Sequence, residues 1–267
     1  MTLILDRVRV ERVGAVAHVQ LHRPEKHNGL DCALIDALIE AAASLSDSPG
    51  LRAVVLSGAG PSFCAGLDFP SFLADSERLI PHLMDELIGP ANRAQQVAWA
   101  WRALPVPVIA ALHGHVYGGG LQIALGADLR LVHPEARLSI MEIHYGLIPD
   151  MGFTQTVLPH LRPDQAMELT LTGRKVGAEE AVQLGLCTRI EAEPLEAALR
   201  LAETIAARSP HAIRAAKQLI REARGLDVAA GLNLEARLQR GLLGSPNQLE
   251  AVMANFERRP AVFVDPS

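Results

Sequence analysis

Aromatic side chains are scarce in this chain: two Trp, two Tyr and six Phe make up 4% of 267 residues. Any core must therefore be filled by Ala, Leu, Val and Ile, and a hydrophobic content of 49% suffices for a large one. Cysteine is scarcer still. Cys32, Cys64 and Cys187 are odd in number, far apart and in no CxxC pair, which argues against a disulfide framework or a linear zinc motif. Such usage suits a reducing compartment, and a cytoplasmic location is expected. The ten histidines are scattered and form no HExxH pattern, so no metal is expected. No run of eighteen apolar residues is present, which removes a membrane helix from the expectations. The first segment, MTLILDRVRVERVG, is broken by Asp6, Arg7, Arg9 and Glu11 and does not read as a signal peptide. An excess of basic charge is also missing. The net charge of −5 makes nucleic acid an unexpected partner.

What is present is an alternation of short apolar runs and helical patterns. Val8–Val10, Val16–Leu21, Arg52–Ser57, Pro107–Leu112 and Ala127–Val132 read as strands. Asp31 is placed to cap a helix reaching about Leu45, and Ser76–Leu104 is helical by pattern with a break near Gly89-Pro90. Strand, glycine turn, helix, strand is the order of α/β units. After about Glu193 the pattern changes to helices over 195–208, 212–223, 229–243 and 247–257. Two regions are therefore expected, an α/β core over 1–193 and a helical region over 194–267.

Two glycine-containing segments each follow a strand: Ser62-Phe63-Cys64-Ala65-Gly66-Leu67-Asp68 and Gly114-His115-Val116-Tyr117-Gly118-Gly119-Gly120. Either alone reads first as a tight strand-to-helix turn. Neither ends in the Gly-Lys-Ser/Thr of a P-loop, and GGG lacks dinucleotide-fingerprint spacing. Facing each other, two such turns could offer unpaired N–H groups to negative charge developing on one oxygen.

Together with LHRPEKHNGLD (21–31), PVIAALHGHVYGGGLQIALGADLRL (107–131), MEIHYGLIPDMG (141–152), LTGRKVGAEEAVQLGLCTRI (171–190) and NFERRPAVF (255–263), these segments resemble the crotonase (enoyl-CoA hydratase/isomerase) superfamily over nearly the whole chain. The resemblance implies a spiral of ββα turns with a C-terminal helical trimerisation region, an acyl-CoA substrate, and a homotrimer or dimer of trimers. Coenzyme A would enter only as part of the substrate, with no separate cofactor. It also implies an oxyanion hole built from the backbone N–H groups of Leu67 and Gly119. Arg23, Lys26, Ala65, Arg258 and Arg259 match positions that contact coenzyme A, the last two often reaching a neighbouring subunit. The segment Ser71–Pro90 would cover the acyl chain.

Enolate chemistry also needs groups that move protons. Glu142 matches one of the two glutamates of the family's hydratases; the other position holds Gln122, whose amide can orient a group but not transfer a proton. Asp150 lies eight residues after Glu142, a spacing similar to that of the dienoyl-CoA isomerase branch, although that branch has an Asp where this chain has Gln122. Following Pro149, Asp150 suits a turn or helix cap as well as proton transfer. The expected chemistry is a double-bond shift by Glu142 and Asp150. The alternatives are hydration of a 2-enoyl-CoA by Glu142 with water oriented by Gln122, or a catalytically weak scaffold that binds CoA esters.

Overall fold

Apolar residues on a period of two draw the first part of the chain into strands. The computed structural model describes residues 1–266. β1 (Thr2–Ile4), β2 (Val8–Val13) and β3 (Val16–Leu21) form an antiparallel meander, followed by α1 (Cys32–Ser46). The Asp31 side chain caps α1 by accepting from the N–H of Leu34, as its sequence position suggests. β4 (Ala53–Gly58) leads to two short helices, α2 (Phe69–Leu73) and α3 (Ser76–Met84). The break anticipated at Gly89-Pro90 is a tight hairpin of β5 (Leu87–Ile88) and β6 (Ala91–Asn92), after which α4 (Arg93–Ala103) resumes the helical pattern.

The middle of the chain contains β7 (Val108–Leu112), β8 (His115–Tyr117), α5 (Gly119–Gly126), β9 (Leu129–Val132) and β10 (Arg137–Ser139). A 3-10 turn (Glu142–Tyr145), α6 (Phe153–Thr156), α7 (Pro163–Thr172), β11 (Val176–Gly177), α8 (Ala178–Leu184) and β12 (Arg189–Ile190) follow. The larger sheet has the order β1-β2-β3-β4-β7-β9-β12 and is parallel from β3 onwards; the smaller has the order β11-β10-β8. β7 and β8 precede α5, and β9 and β10 precede the 3-10 turn. These two windings each give one strand to each sheet before turning helical, which is the ββα spiral. Cys64 bridges Val116 in parallel, extending this pattern one winding back to the loop after β4.

β4 is buried along its whole length, as a central strand covered on both faces must be. Its Val54 and Leu56 face the main core with α1, α4 and α5, where Trp101 is the largest fully buried side chain. Ala53 and Val55 face the other way, onto α9 (Pro194–Ala206). Ala197, Ala198, Ala202 and Ala206 form the face of α9 that meets the sheet, and their small side chains permit a close approach. α9, which opens the region expected to be separate from the core, packs against the sheet. α10 (Pro210–Glu222) is tied to the sheet by Lys217, whose Nζ donates to Val106 O at 2.8 Å and pairs with Asp128 at 2.7 Å. α11 (Val228–Leu242) packs on α10, and α12 (Pro246–Glu257) ends the helical region. Among the described residues, no helix is long and apolar enough to cross a membrane.

Candidate active site

The spiral brings the two glycine segments side by side with a fixed register. Cys64 N–H donates to His115 O at 3.0 Å, and Tyr117 N–H donates to Cys64 O at 3.0 Å. Gly66 then lies against Tyr117 and Gly118, where a Cβ built on it would come within 2.9 Å of Tyr117 O and 3.8 Å of Gly118 Cα, so the ends of the two segments meet. Leu67 is itself the central residue of a parallel bridge to Leu30: Leu30 N–H donates to Gly66 O at 2.8 Å and Asp68 N–H to Leu30 O at 3.0 Å. In such a bridge the central residue's own N–H points away from its partner. Gly119 opens α5, so its N–H has no carbonyl within the helix. Among the described residues, neither N–H donates a hydrogen bond.

Glycine is required here for two different reasons. Gly66 has φ +89, and a Cβ there would lie 2.9 Å from Tyr117 O. Gly120 has no room: a Cβ would sit 2.7 Å from that of Cys64. Cys64 is packing material, its thiol donating to Asn28 O at 3.0 Å and pushed up to about 12 by burial.

Leu67 and Gly119 both line a cavity of about 380 Å³. Leu30, Phe72, Ile80, Leu83, Met84 and Met151 give it an apolar wall, much of it from the segment expected to cover an acyl chain. Phe69 of α2 stacks on Tyr145 at 4.1 Å between ring centroids, joining that cover to the 3-10 turn.

Glu142 and Asp150 line the same cavity. Burial pushes the Glu142 carboxyl upwards, and the charge of Asp150 adds to the shift. Its Oε2 is buried with no hydrogen-bond partner among the described residues. Asp150 keeps contact with solvent at the cavity mouth, yet the protein surrounding it pushes its carboxyl upwards too.

Gln122 was expected to orient substrate. It is 1% exposed and does not line the cavity. Its Nε2 donates to Glu142 Oε1 at 2.6 Å, and its Oε1 accepts from Met151 N–H at 2.8 Å. It is a strut behind Glu142 that also holds the chain next to Asp150. Arg23, expected at coenzyme A, is likewise committed elsewhere. It is buried, pairs with Asp68 at 2.7 Å and Asp31 at 3.5 Å, and donates to Gly29 O. Burial opposes the Asp68 charge, but hydrogen bonds from Ser71 and Arg23 outweigh it and hold that carboxyl below the usual range. Ala65 lines the cavity, and Lys26 is exposed on the turn before α1. Arg258 and Arg259, beyond α12, do not line the cavity; Arg259 is bound by Glu250 at 2.6 Å and by Glu257 at 2.5 Å.

Asn28 carries a role that the sequence reading did not assign. Fully buried, it donates from Nδ2 to Ala59 O, Ser62 O and Phe63 O and accepts from Arg23 N–H. It fastens the loop that ends in Leu67. Its place in HNGLD, where Asn accepts the left-handed φ of +54, was the available signal.

The sequence profile of enoyl-CoA hydratase/isomerase proteins matches residues 11–266. The mitochondrial Delta(3,5)-Delta(2,4)-dienoyl-CoA isomerase of Mus musculus is 33% identical, the match covering 91% of this chain and 77% of that protein. An enoyl-CoA hydratase from Bacillus anthracis superposes with a TM-score of 0.88 at 30% identity, over 96% of this chain and 98% of that one. One from Mycobacterium tuberculosis H37Rv gives 0.84 at 30% identity, over 97% and 98%.

Proposed function

The chain belongs to the enoyl-CoA hydratase/isomerase family and has its crotonase fold, and from that membership we propose that it moves a double bond along an acyl-CoA substrate. The thioester oxygen accepts from the N–H groups of Leu67 and Gly119. One carboxylate of the pair Glu142 and Asp150 removes a proton from the carbon next to the thioester, the electron pair passes to the oxygen as an enolate, and the double bonds shift. The other carboxyl returns a proton farther along the chain. No atom is gained or lost. Two neighbouring carboxyls, both pushed upwards, favour one protonated and one ionised group at a time.

The observation that supports this reading is that Glu142, Asp150, Leu67 and Gly119 all line one largely apolar cavity. The engagement of Gln122 with Glu142 and Met151 counts against hydration, since its amide is not turned towards water in the cavity. Incubation with a 3,5-dienoyl-CoA and with a 2-enoyl-CoA, followed by absorbance, tests it. Isomerisation without hydration is expected. Asp150→Asn lowers isomerisation by roughly a hundred- to ten-thousand-fold. Hydration at a rate indifferent to Asp150→Asn would sink the proposal in favour of a hydratase. CoA-ester binding without turnover of either substrate would favour a scaffold.

A homotrimer, or a dimer of trimers, is part of the same reading. The helical region leaves Val228, Leu232, Leu249, Met253 and Phe256 exposed, with Phe256 82% accessible. A neighbouring copy covering this face would bring Arg258 towards a second cavity, as the family resemblance implies.

A further inference from the structure

Away from the acyl cavity, three side chains of different chemistry converge between the first turns of α1 and the end of α3. Cys32 Sγ lies 3.7 Å from Asp36 Oδ2, and His82 Nε2 lies 3.5 Å from Asp36 Oδ1. All three ligand atoms fall within 4.8 Å of one another. Ligands on one tetrahedral zinc ion, with Zn–S about 2.3 Å and Zn–N or Zn–O about 2.0–2.1 Å, are separated by roughly 3.3–3.7 Å. The Sγ–Oδ2 contact already has that length; the His82 contact is to the other carboxylate oxygen, so a side-chain rotation of Asp36 or His82 is needed to bring Nε2 and Oδ2 to the same ion.

The surroundings are those of a ligating histidine. The other ring nitrogen of His82, Nδ1, faces Glu86 Oε1 at 3.1 Å. A carboxylate there fixes the tautomer with hydrogen on Nδ1 and leaves Nε2 free to bind a metal. Arg93 holds both carboxylates, Glu86 through Oε2 at 2.8 Å and Asp36 through Oδ1 at 2.9 Å. The Arg93 charge opposes a cation, but it leaves Asp36 Oδ2, the oxygen nearest Cys32, without a cationic partner. Cys32 also lines a separate cavity of about 370 Å³ between α1 and the α2–α3 segment, which gives an ion a path to the sulfur. The spacing explains why no motif announces the site. Two ligands sit four residues apart on one helix, and the third is 46 residues later on another.

We propose that Cys32, Asp36 and His82 form a binding site for a zinc-like divalent metal, with solvent as the fourth ligand. Binding converts the Cys32 thiol to a thiolate, releases one proton to solvent and displaces metal-bound water. The ion joins α1 to α3. Since Ile80, Leu83 and Met84 of α3 form part of the acyl cavity wall, the metal braces that wall from outside it. Cobalt(II) is the probe, because a cobalt–thiolate bond absorbs in the near ultraviolet where the apoprotein does not. Titration of the full chain under a non-thiol reductant is expected to give this band, saturating at about one ion per chain. Cys32→Ser abolishes it, and His82→Ala and Asp36→Asn weaken binding by about tenfold or more. Circular dichroism establishes that each variant is folded, and Glu86→Gln, which keeps all three ligands, gives a smaller loss. Zinc slows amide exchange across residues 76–88 in the parent protein and not in Cys32→Ser. Absence of the band in the parent protein, or its persistence in Cys32→Ser, overturns the proposal.

Discussion

Glu142 stands in a position that costs the folded protein stability. A carboxyl whose pKa is higher in the native state than in the unfolded chain binds its proton more tightly when folded. Stability therefore falls as pH rises from the ordinary glutamate value to the raised one, and it stays lower above that. Replacing Glu142 by Gln removes the charge while its carbonyl can still accept from Gln122. The melting temperature of Glu142→Gln is expected to exceed that of the parent at pH 7, with the gap closing below the ordinary glutamate range. Gln122 works in the opposite direction, because its donated hydrogen bond favours the ionised form of Glu142. In Gln122→Leu the acidic limb of the kcat/KM profile moves to higher pH; an unmoved limb would mean that Glu142 is not the group titrating. At this scale the sequence was informative about backbone donors and carboxyls, because glycine turns and charged residues among apolar ones are visible in one dimension. The partner of a buried amide or guanidinium is not. Gln122 and Arg23 were matched by position to ligand contacts, and only tertiary packing reveals that each is spent on a protein carboxylate.

Among the elements, the loop–helix junction of β8 and α5 tolerates little change. Gly120 lies against the backbone and side chain of Cys64, which cannot swing aside. Gly120→Ala is expected to destabilise the fold by about 1–3 kcal/mol, read from chemical denaturation. Long strands and helices were legible because their periods repeat: β3, β4, β7, α1 and the four C-terminal helices fall where hydrophobic spacing puts them. β8, β10 and β11 were not, having two or three residues each. So short a strand completes no alternation, and it forms because the winding before it has already laid down an edge. The hairpin at Gly89-Pro90 was visible only as an interruption, since β5 and β6 have two residues each.

For the molecule as a whole, the exposed apolar residues of α11 and α12 set the expectation for assembly. Sedimentation is expected to show three or six copies, and Phe256→Glu to shift the population towards monomer while leaving the circular dichroism unchanged. The change from a mixed chain to an all-helical one near residue 193 was legible in composition. The attachment of α9 to the sheet was not, because a stripe of alanines carries little hydrophobic contrast. The meeting of the two glycine segments has a further consequence for how this scaffold can diversify. In the proposed site both donors belong to the main chain, so among point substitutions only proline deletes one outright, as an amide-to-ester replacement at residue 67 does. Under the proposed function, activation of the thioester would tolerate most side-chain exchanges outside the glycines, while Glu142 and Asp150 set the reaction, which makes this chain a starting point for directed evolution towards other enolate reactions.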